Sequence, residues 1–338
     1  MSTIEPGPDR HPGTCSSTCP ILRWLSLEGA RAAVESIIPI LMPLRPKRPA
    51  PTPSACRLYV ILAREAPVAA VFRRGPSTRV QILKWSTDTD AFEEGQWFHG
   101  RIYERRCDLS PDGSRLVSFA QKIDARTMES DSTSAWTAVS RLPFLTALAL
   151  WPKGDCWNGG GLFESSRHLL LNHLPFEAAH HPDHPPPRGL RVTPGRFAPG
   201  EDHSIWSART ARDGWSLVQE GQYRWKGGRP RTERAEIWER ALQRSNVTLV
   251  RSLEELDSKA AGGPSVLSYR LRRNDRPDLP IPGAQWADWD QQGRLVFARG
   301  GCLFTATFDG DRLQETLLID LNGNKPKTVE TPKWATRW

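Results

Sequence analysis

From residue 57 onward the chain consists of apolar runs too short for most helices, each closed by turn-forming residues. RLYVILAR (57–64), VAAVFRR (68–74) and RVQILKW (79–85) follow one another closely. TALALWP (146–152), RHLLLNH (167–173), GWSLVQEG (214–221), VTLVRSL (247–253) and SVLSYRL (265–271) continue the series. Apolar and polar residues alternate most clearly in RVQILKW and GWSLVQEG, as in strands buried on one face. The 26 glycines and 29 prolines among 338 residues supply the punctuation and favour turns over long helices. With 38% apolar residues and 14 tryptophans there is material for a large core.

Two corners share one pattern. CDLSPDGSRLVSFA (107–120) and ADWDQQGRLVFA (287–298) each place an acid before the turn region, then Gly, Arg-Leu-Val and Phe, with one residue of offset. Gly113 and Gly293 supply the positive backbone angle that a tight hairpin requires. The later copy runs through Gly300-Gly301 into CLFTATF and through Asp309-Gly310-Asp311 into RLQETLLIDL. That predicts three consecutive antiparallel strands, most of a four-stranded sheet.

A turn of the form Ser110-Pro111-Asp112-Gly113 leading into an apolar strand, with Asp290-Gln291-Gln292-Gly293 as a second copy, resembles the blades of β-propellers of the Tol and WD-repeat type. The resemblance covers two blades, and no Trp-Asp strand end with its partner His accompanies it. It implies an all-β, propeller-like domain over 57–338, with five or six blades of short antiparallel sheets at about 40–50 residues each. In that arrangement the strand near Leu58 completes the last sheet and leaves no open edge. A two-domain β-sandwich is the competing architecture.

Residues 1–56 read differently, as a Pro-rich, mostly irregular extension. Ten of the prolines fall before Cys56, and the segment closes on RPKRPAPTPSA, an extended, solvated composition. LEGARAAVESII predicts a helix from Leu27 to Ile38, with Leu27, Ala30, Val34 and Ile38 on one face. A native start near Cys56, with this segment upstream of it, is an alternative. The first twenty residues hold four prolines and no apolar core of signal-peptide length, and SIIPILMPL (36–44) is too short to span a bilayer. The expectation is a soluble, monomeric cytoplasmic protein. Cysteines 56, 107, 156 and 302 suit reduced thiols, and Cys15 and Cys19 lack a second pair at zinc-binding spacing.

The net charge of +8 is permissive of an acidic partner without requiring one. In WPKGDCWNGGGLF (151–163), Gly159–Gly161 read as a tight strand crossing beneath Trp151 and Trp157; neither a nucleophile elbow nor a phosphate-binding loop accompanies them, and Cys156 has no visible activating partner. His180, His181, Asp183 and His184 in HHPDHPPP are metal-capable residue types, but the prolines around them predict a solvated loop, and no metal or cofactor is assigned. YRWKGGRPRTER (223–234) interleaves Arg224, Arg229 and Arg231 with Tyr223 and Trp225, and RLRRNDR (270–276) adds further arginines; both read as loops. Glu93-Glu94 and Glu254-Glu255 read as turn and helix-start residues. Trp97, Trp157 and Trp225 fall in expected turns. The leading expectation is therefore a non-catalytic binding or scaffolding protein that meets another protein through Trp157, Trp225, Arg224, Arg229 and Arg231. A hydrolase with its site in the propeller channel, and a nucleic-acid or polyanion binder, are the alternatives.

Overall fold

The computed structural model describes residues 55–75, 78–123, 134–195, 203–226, 229–242, 246–256, 265–274, 276–309 and 312–338, with the side chains of 203–204, 225–226, 229–230 and 309 left aside. The chain divides into two units, Met1–Pro51 and Thr52–Trp338. The first unit, with the predicted helix at 27–38 and Cys15 and Cys19, lies outside the described residues.

The second unit is all-β. Its first sheet is a meander of β1 (Arg57–Leu62), β2 (Val68–Arg74), β3 (Arg79–Ser86) and β4 (Ala91–His99). The second holds β5 (Arg101–Ile102), β6 (Asp108–Leu109), β7 (Arg115–Gln121), β8 (Ala135–Arg141) and β9 (Ala149–Lys153), with both short strands on β7. The third is β10 (Gly161–Ser165), β11 (His168–Leu171) and β12 (Arg191–Pro194), the last pairing parallel to β11. A helix, α1 (His203–Arg212), precedes the fourth sheet, formed by β13 (Ser216–Gln219), β16 (Glu236–Ala241), β17 (Val247–Leu256), β18 (Ser265–Arg273) and β19 (Arg276–Pro280). A hairpin of β14 (Gln222–Lys226) and β15 (Arg229–Arg234) projects between β13 and β16. The last sheet is the meander β20 (Trp286–Trp289), β21 (Leu295–Arg299), β22 (Cys302–Asp309) and β23 (Arg312–Asp320). Among the described residues, strand pairing stays within these sheets and closes no barrel. No described helix is long and apolar enough to cross a membrane.

Strand periodicity lets one sheet serve two cores. Leu58 and Val60 of β1 join Val71 and Trp85 against Val296, Ala298 and Leu303, so the first sheet packs on the last. Ile61, on the other face of β1, joins Phe72 and Ile82 against Ile102, Leu109 and Leu116 of the second sheet. Val117, Val139 and Trp151 then pack on Phe163, Leu169 and Leu171 of the third. Trp238, Leu249 and Leu271 of the fourth pack on Ala287, Trp289 and Phe297 of the last.

The two corners have the same geometry. Gly113 and Gly293 have φ of 71° and 75°, and their N–H groups donate to Ser110 O at 2.8 Å and Asp290 O at 2.9 Å. Ser110 Oγ accepts the Arg115 N–H at 2.9 Å, as Asp290 Oδ1 accepts the Arg294 N–H at 2.8 Å. Leu109 then faces Leu116, and Trp289 faces Leu295. The one-residue offset is absorbed inside the turn.

Beyond β23 the chain crosses the first sheet and ends on the second. Gln96 Nε2 donates to Val329 O at 2.9 Å and to Thr331 Oγ1 at 2.8 Å. Trp338 Nε1 donates to Leu148 O at 3.2 Å, and Trp334 sits edge-on to Phe144 at 5.6 Å.

Several expectations are corrected. β1 does not complete the last sheet: that sheet already has four strands, and β1 pairs with β2 while packing its side chains on the last sheet. Trp97 and Trp225 lie on β4 and β14, not in turns, and Glu93-Glu94 and Glu254-Glu255 are exposed strand residues of β4 and β17. The basic stretch 223–234 is a hairpin, and Arg270, Arg272 and Arg273 belong to β18. Each of these segments carries polar residues on a solvated strand face, which composition alone does not separate from a loop.

Candidate functional site

Helix α1 supplies one wall of a cavity of about 570 Å³. Ile205, Trp206, Arg209 and Thr210 are its buried residues, a spacing that places them on one face. Gly214, at φ of 90°, ends it: the Gly214 N–H donates to Ala211 O at 3.2 Å and the Trp215 N–H reaches back to Thr210 O at 3.1 Å. This is the paired bonding of a glycine-terminated helix end, and it turns Trp215 back toward the helix.

Arginines of the helix tie it to the second and third sheets. Arg209 donates through Nη1 to Cys107 O and through Nη2 to the Tyr59 hydroxyl. Arg212 forks onto Asp108, Nη1 to Oδ2 at 2.6 Å and Nη2 to Oδ1 at 3.0 Å, while Nη1 also donates to Phe163 O at 2.9 Å. Asp108 Oδ2 accepts the Phe163 N–H at 2.8 Å as well. Burial works against the Arg212 charge, but Asp108 and Asp213 overcome it and hold the guanidinium above its ordinary range. Asp213 is itself raised, because burial outweighs its Arg212 contact.

The cavity measures about 570 Å³ and is bounded by β1, α1, the β16 end, β17, β18 and β20. Arg251 of β17 occupies its wall at 6% exposure. Its guanidinium carbon lies 4.4 Å from the ring centroids of Trp206 and Trp215 and 5.7 Å from that of Trp238. Among the described residues one hydrogen bond is made, from Nη2 to Thr210 Oγ1 at 3.3 Å, and Nε is buried without a partner. Among the described residues no carboxylate forms an ion pair with it; Asp288 is engaged by Arg240. Burial lowers the Arg251 pKa, against the influence of Tyr269, Tyr59 and Asp288. Indole faces offset part of the cost of a buried cation, but they leave its in-plane N–H groups without an acceptor. Tyr269 shares this wall, and burial pushes its hydroxyl up to about 12, so it is a neutral donor.

The residues expected from sequence to form a binding surface lie elsewhere. Arg224 and Arg231 are exposed partners across the β14–β15 hairpin, and Trp225 and Arg229 hold neighbouring register positions, their side chains being outside the described set. Arg224 Nε pairs with Glu233 at 2.8 Å, a solvated contact. Trp157 stands apart from them on the β9–β10 connection at 65% exposure. It does not cover the glycines as expected. Gly159 packs on Phe119 and Gly160 on Arg106, whose Nη1 donates to Cys156 O at 2.6 Å; a Cβ on Gly160 would stand 2.0 Å from Arg106 O. His181 Nδ1 accepts the Asp183 N–H at 3.2 Å, and His180 Nδ1 lies 3.3 Å from His181 O. Among the described residues no three His, Cys, Asp or Glu side chains are placed to hold a metal ion. Cys56, Cys107, Cys156 and Cys302 are free thiols.

The cavity residues escaped the sequence reading, although one signal was present. VTLVRSL places an arginine among apolar positions of a core strand, where a buried charge needs a reason. No protein-family model matches the chain, and no curated protein matches it.

Proposed function

We propose that this protein is a non-catalytic binding protein, that its second unit is propeller-like, and that its ligand is an organic anion with a flat apolar body, held in the 570 Å³ cavity. The propeller reading is supported by the succession of packed sheets, last on first, first on second, second on third and fourth on last, and by the matching corners at Gly113 and Gly293. The single observation that carries the ligand reading is Arg251: a buried guanidinium with ring faces on its sides and no ion-pair partner among the described residues. A carboxylate at its edge would supply the missing acceptor. Tyr59, Leu62 and Leu267, half-buried on the same lining, offer surfaces for the ligand body, and the volume is that of an ordinary small-molecule site.

Hydrolysis has less support. Asp288 accepts from Arg240 and Trp215, and Asp290 accepts the backbone and side chain of Arg294. Asp213 is held by Arg212 at 2.8 Å, so these three carboxylates of the lining are all engaged, whereas glycoside hydrolysis requires a pair free to act as acid and base.

Thermal-shift and calorimetric titration with a panel of aromatic carboxylates tests the proposal. Saturable binding that Arg251→Gln weakens at least tenfold is expected. Equal affinity in wild type and variant refutes the role of Arg251. A protein partner is a second reading, favoured by Trp157 and by Phe176 at 82% exposure; Lys153, four residues before Trp157, is bonded to Glu177 beside Phe176. A pull-down with wild type and a Trp157→Ala, Phe176→Ala double variant checks it, and equal recovery of every captured protein removes it.

A further inference from the structure

A second cavity, of about 70 Å³, shares Tyr59 and Leu267 with the first. It takes Arg57 and Leu58 from the N-terminal end of β1 and Gln285 just before β20, whereas the large cavity takes residues 59–62 of β1 and Trp286, Asp288 and Trp289 of β20. Four arginines line it, Arg57, Arg74, Arg101 and Arg105, against one carboxylate, Glu104. Glu104 is occupied by Arg74 Nη1, at 3.3 and 3.4 Å. Arg105 donates to Ser265 Oγ at 3.0 Å, and Arg101 lies 4.2 Å over the Tyr103 ring. Arg57 is half-buried and makes no hydrogen bond or ion pair through its side chain to any described residue.

This concentration of charge runs against the strand pairing. Arg57 stands directly opposite Arg74 in the β1–β2 register, and like charges so placed destabilise a sheet. Elsewhere in the domain, Arg212, Arg240, Arg294 and Arg299 each have a carboxylate, and Arg73 and Arg209 donate to carbonyl or hydroxyl oxygens. Among the described residues, the side chain of Arg57 has neither. We propose that the small cavity is a second binding site, for a compact tetrahedral oxyanion: phosphate, free or as the head of a small monoester. Guanidinium forks match the geometry and charge of such a group. The volume is far below the roughly 300 Å³ of a drug-sized site, so the cavity admits the oxyanion and leaves any ester substituent outside. Burial, followed by the neighbouring Arg74, lowers the Arg57 pKa, as expected of a cation held near others without its counter-ion. This proposal does not depend on the reading of the large cavity.

Titration with inorganic phosphate and with glycerol phosphate, at ionic strength matched with chloride, tests it by calorimetry and thermal shift on wild type, on Arg57→Gln/Arg101→Gln and on Arg251→Gln. The expected result is saturable binding in wild type and in Arg251→Gln, at least tenfold weaker in the double variant, with the tighter of the two ligands identifying the source. Without ligand, the double variant is expected to melt at the wild-type temperature or above it, because repulsion has been removed. Three results would each overturn the proposal: no shift beyond the chloride control, binding lost in Arg251→Gln but kept in the double variant, or a double variant that unfolds below wild type without ligand and binds phosphate equally well.

Discussion

The side chain of Asn322 accepts the backbone N–H of Cys56 at 3.0 Å, joining the chain just after the last sheet to the strand that opens the first. Asn322 Nδ2 also donates to Gly300 O at 2.8 Å, and Arg73 Nε reaches Leu321 O at 3.1 Å beside it. Asn322→Ala is expected to cost about 1–2 kcal/mol of stability, measured by urea unfolding. Asn322→Asp keeps the acceptor for Cys56 but replaces the donor that Asp320 Oδ1 accepts at 2.8 Å with a second carboxylate, so it should lose at least as much; a smaller loss would mean that the Cys56 bond, at the junction of the two sheets, carries most of the effect.

Asp108 is fully buried and carries the fork from Arg212 as well as the Phe163 N–H. Breaking such a pair leaves an uncompensated charge. Asp108→Asn is expected to lose about 3–5 kcal/mol by denaturant unfolding. Arg272→Gln, which removes a partly exposed pair with Glu239, should lose about 1 kcal/mol or less.

His173 lies in a buried chain whose proton positions follow from its ends. The Gly160 N–H donates to Thr137 Oγ1 at 2.8 Å, and Thr137 lies 2.8 Å from His173 Nε2. Because Nδ1 is 3.1 Å from Glu177 O, it must donate there. Nε2 therefore accepts from the Thr137 hydroxyl, and the ring is neutral. Burial lowers its pKa from 6.5. A depressed folded pKa means that the unfolded chain binds more protons below pH 6.5, so this contribution is complete above that pH and declines as pH falls toward the folded value. The unfolding free energy between pH 7.5 and 5.5, measured by urea unfolding, should fall more steeply in wild type than in His173→Gln, by at most about 1.4 kcal/mol per pH unit.

Gln96 holds the C-terminal segment, and its Oε1 accepts the Leu145 N–H at 2.7 Å. Gln96→Ala removes both tail bonds and this acceptor. Amide exchange across residues 329–338 should accelerate about tenfold, the effect of losing about 1.4 kcal/mol of local stability; unchanged exchange would locate the tail's attachment in the Thr146–Thr331 and Arg141–Arg337 bonds and in Trp334 and Trp338 instead.

The corners at 110–115 and 290–294 were legible because turn chemistry is local: Asp, Gly and the following Arg sit within a few residues. Strands such as Val68–Arg74 were legible from alternation. Helix α1 was not, because half of its buried face is Arg209 and Thr210, which read as surface residues. The cavities were not legible either. Tyr59, Trp206, Arg251 and Trp286 are far apart in the chain and meet only through sheet packing, while Trp225 and the basic hairpin were conspicuous in composition but lie outside both cavity linings.

The packing of β1 against β21 and β22 has a consequence for how the polypeptide is made. Leu58 and Val60 emerge from the ribosome more than two hundred residues before Val296 and Leu303. At about 5–20 residues per second, their greasy side stays uncovered for roughly ten seconds or longer. The nascent chain therefore carries an open apolar sheet face until the residues around Leu303 have emerged.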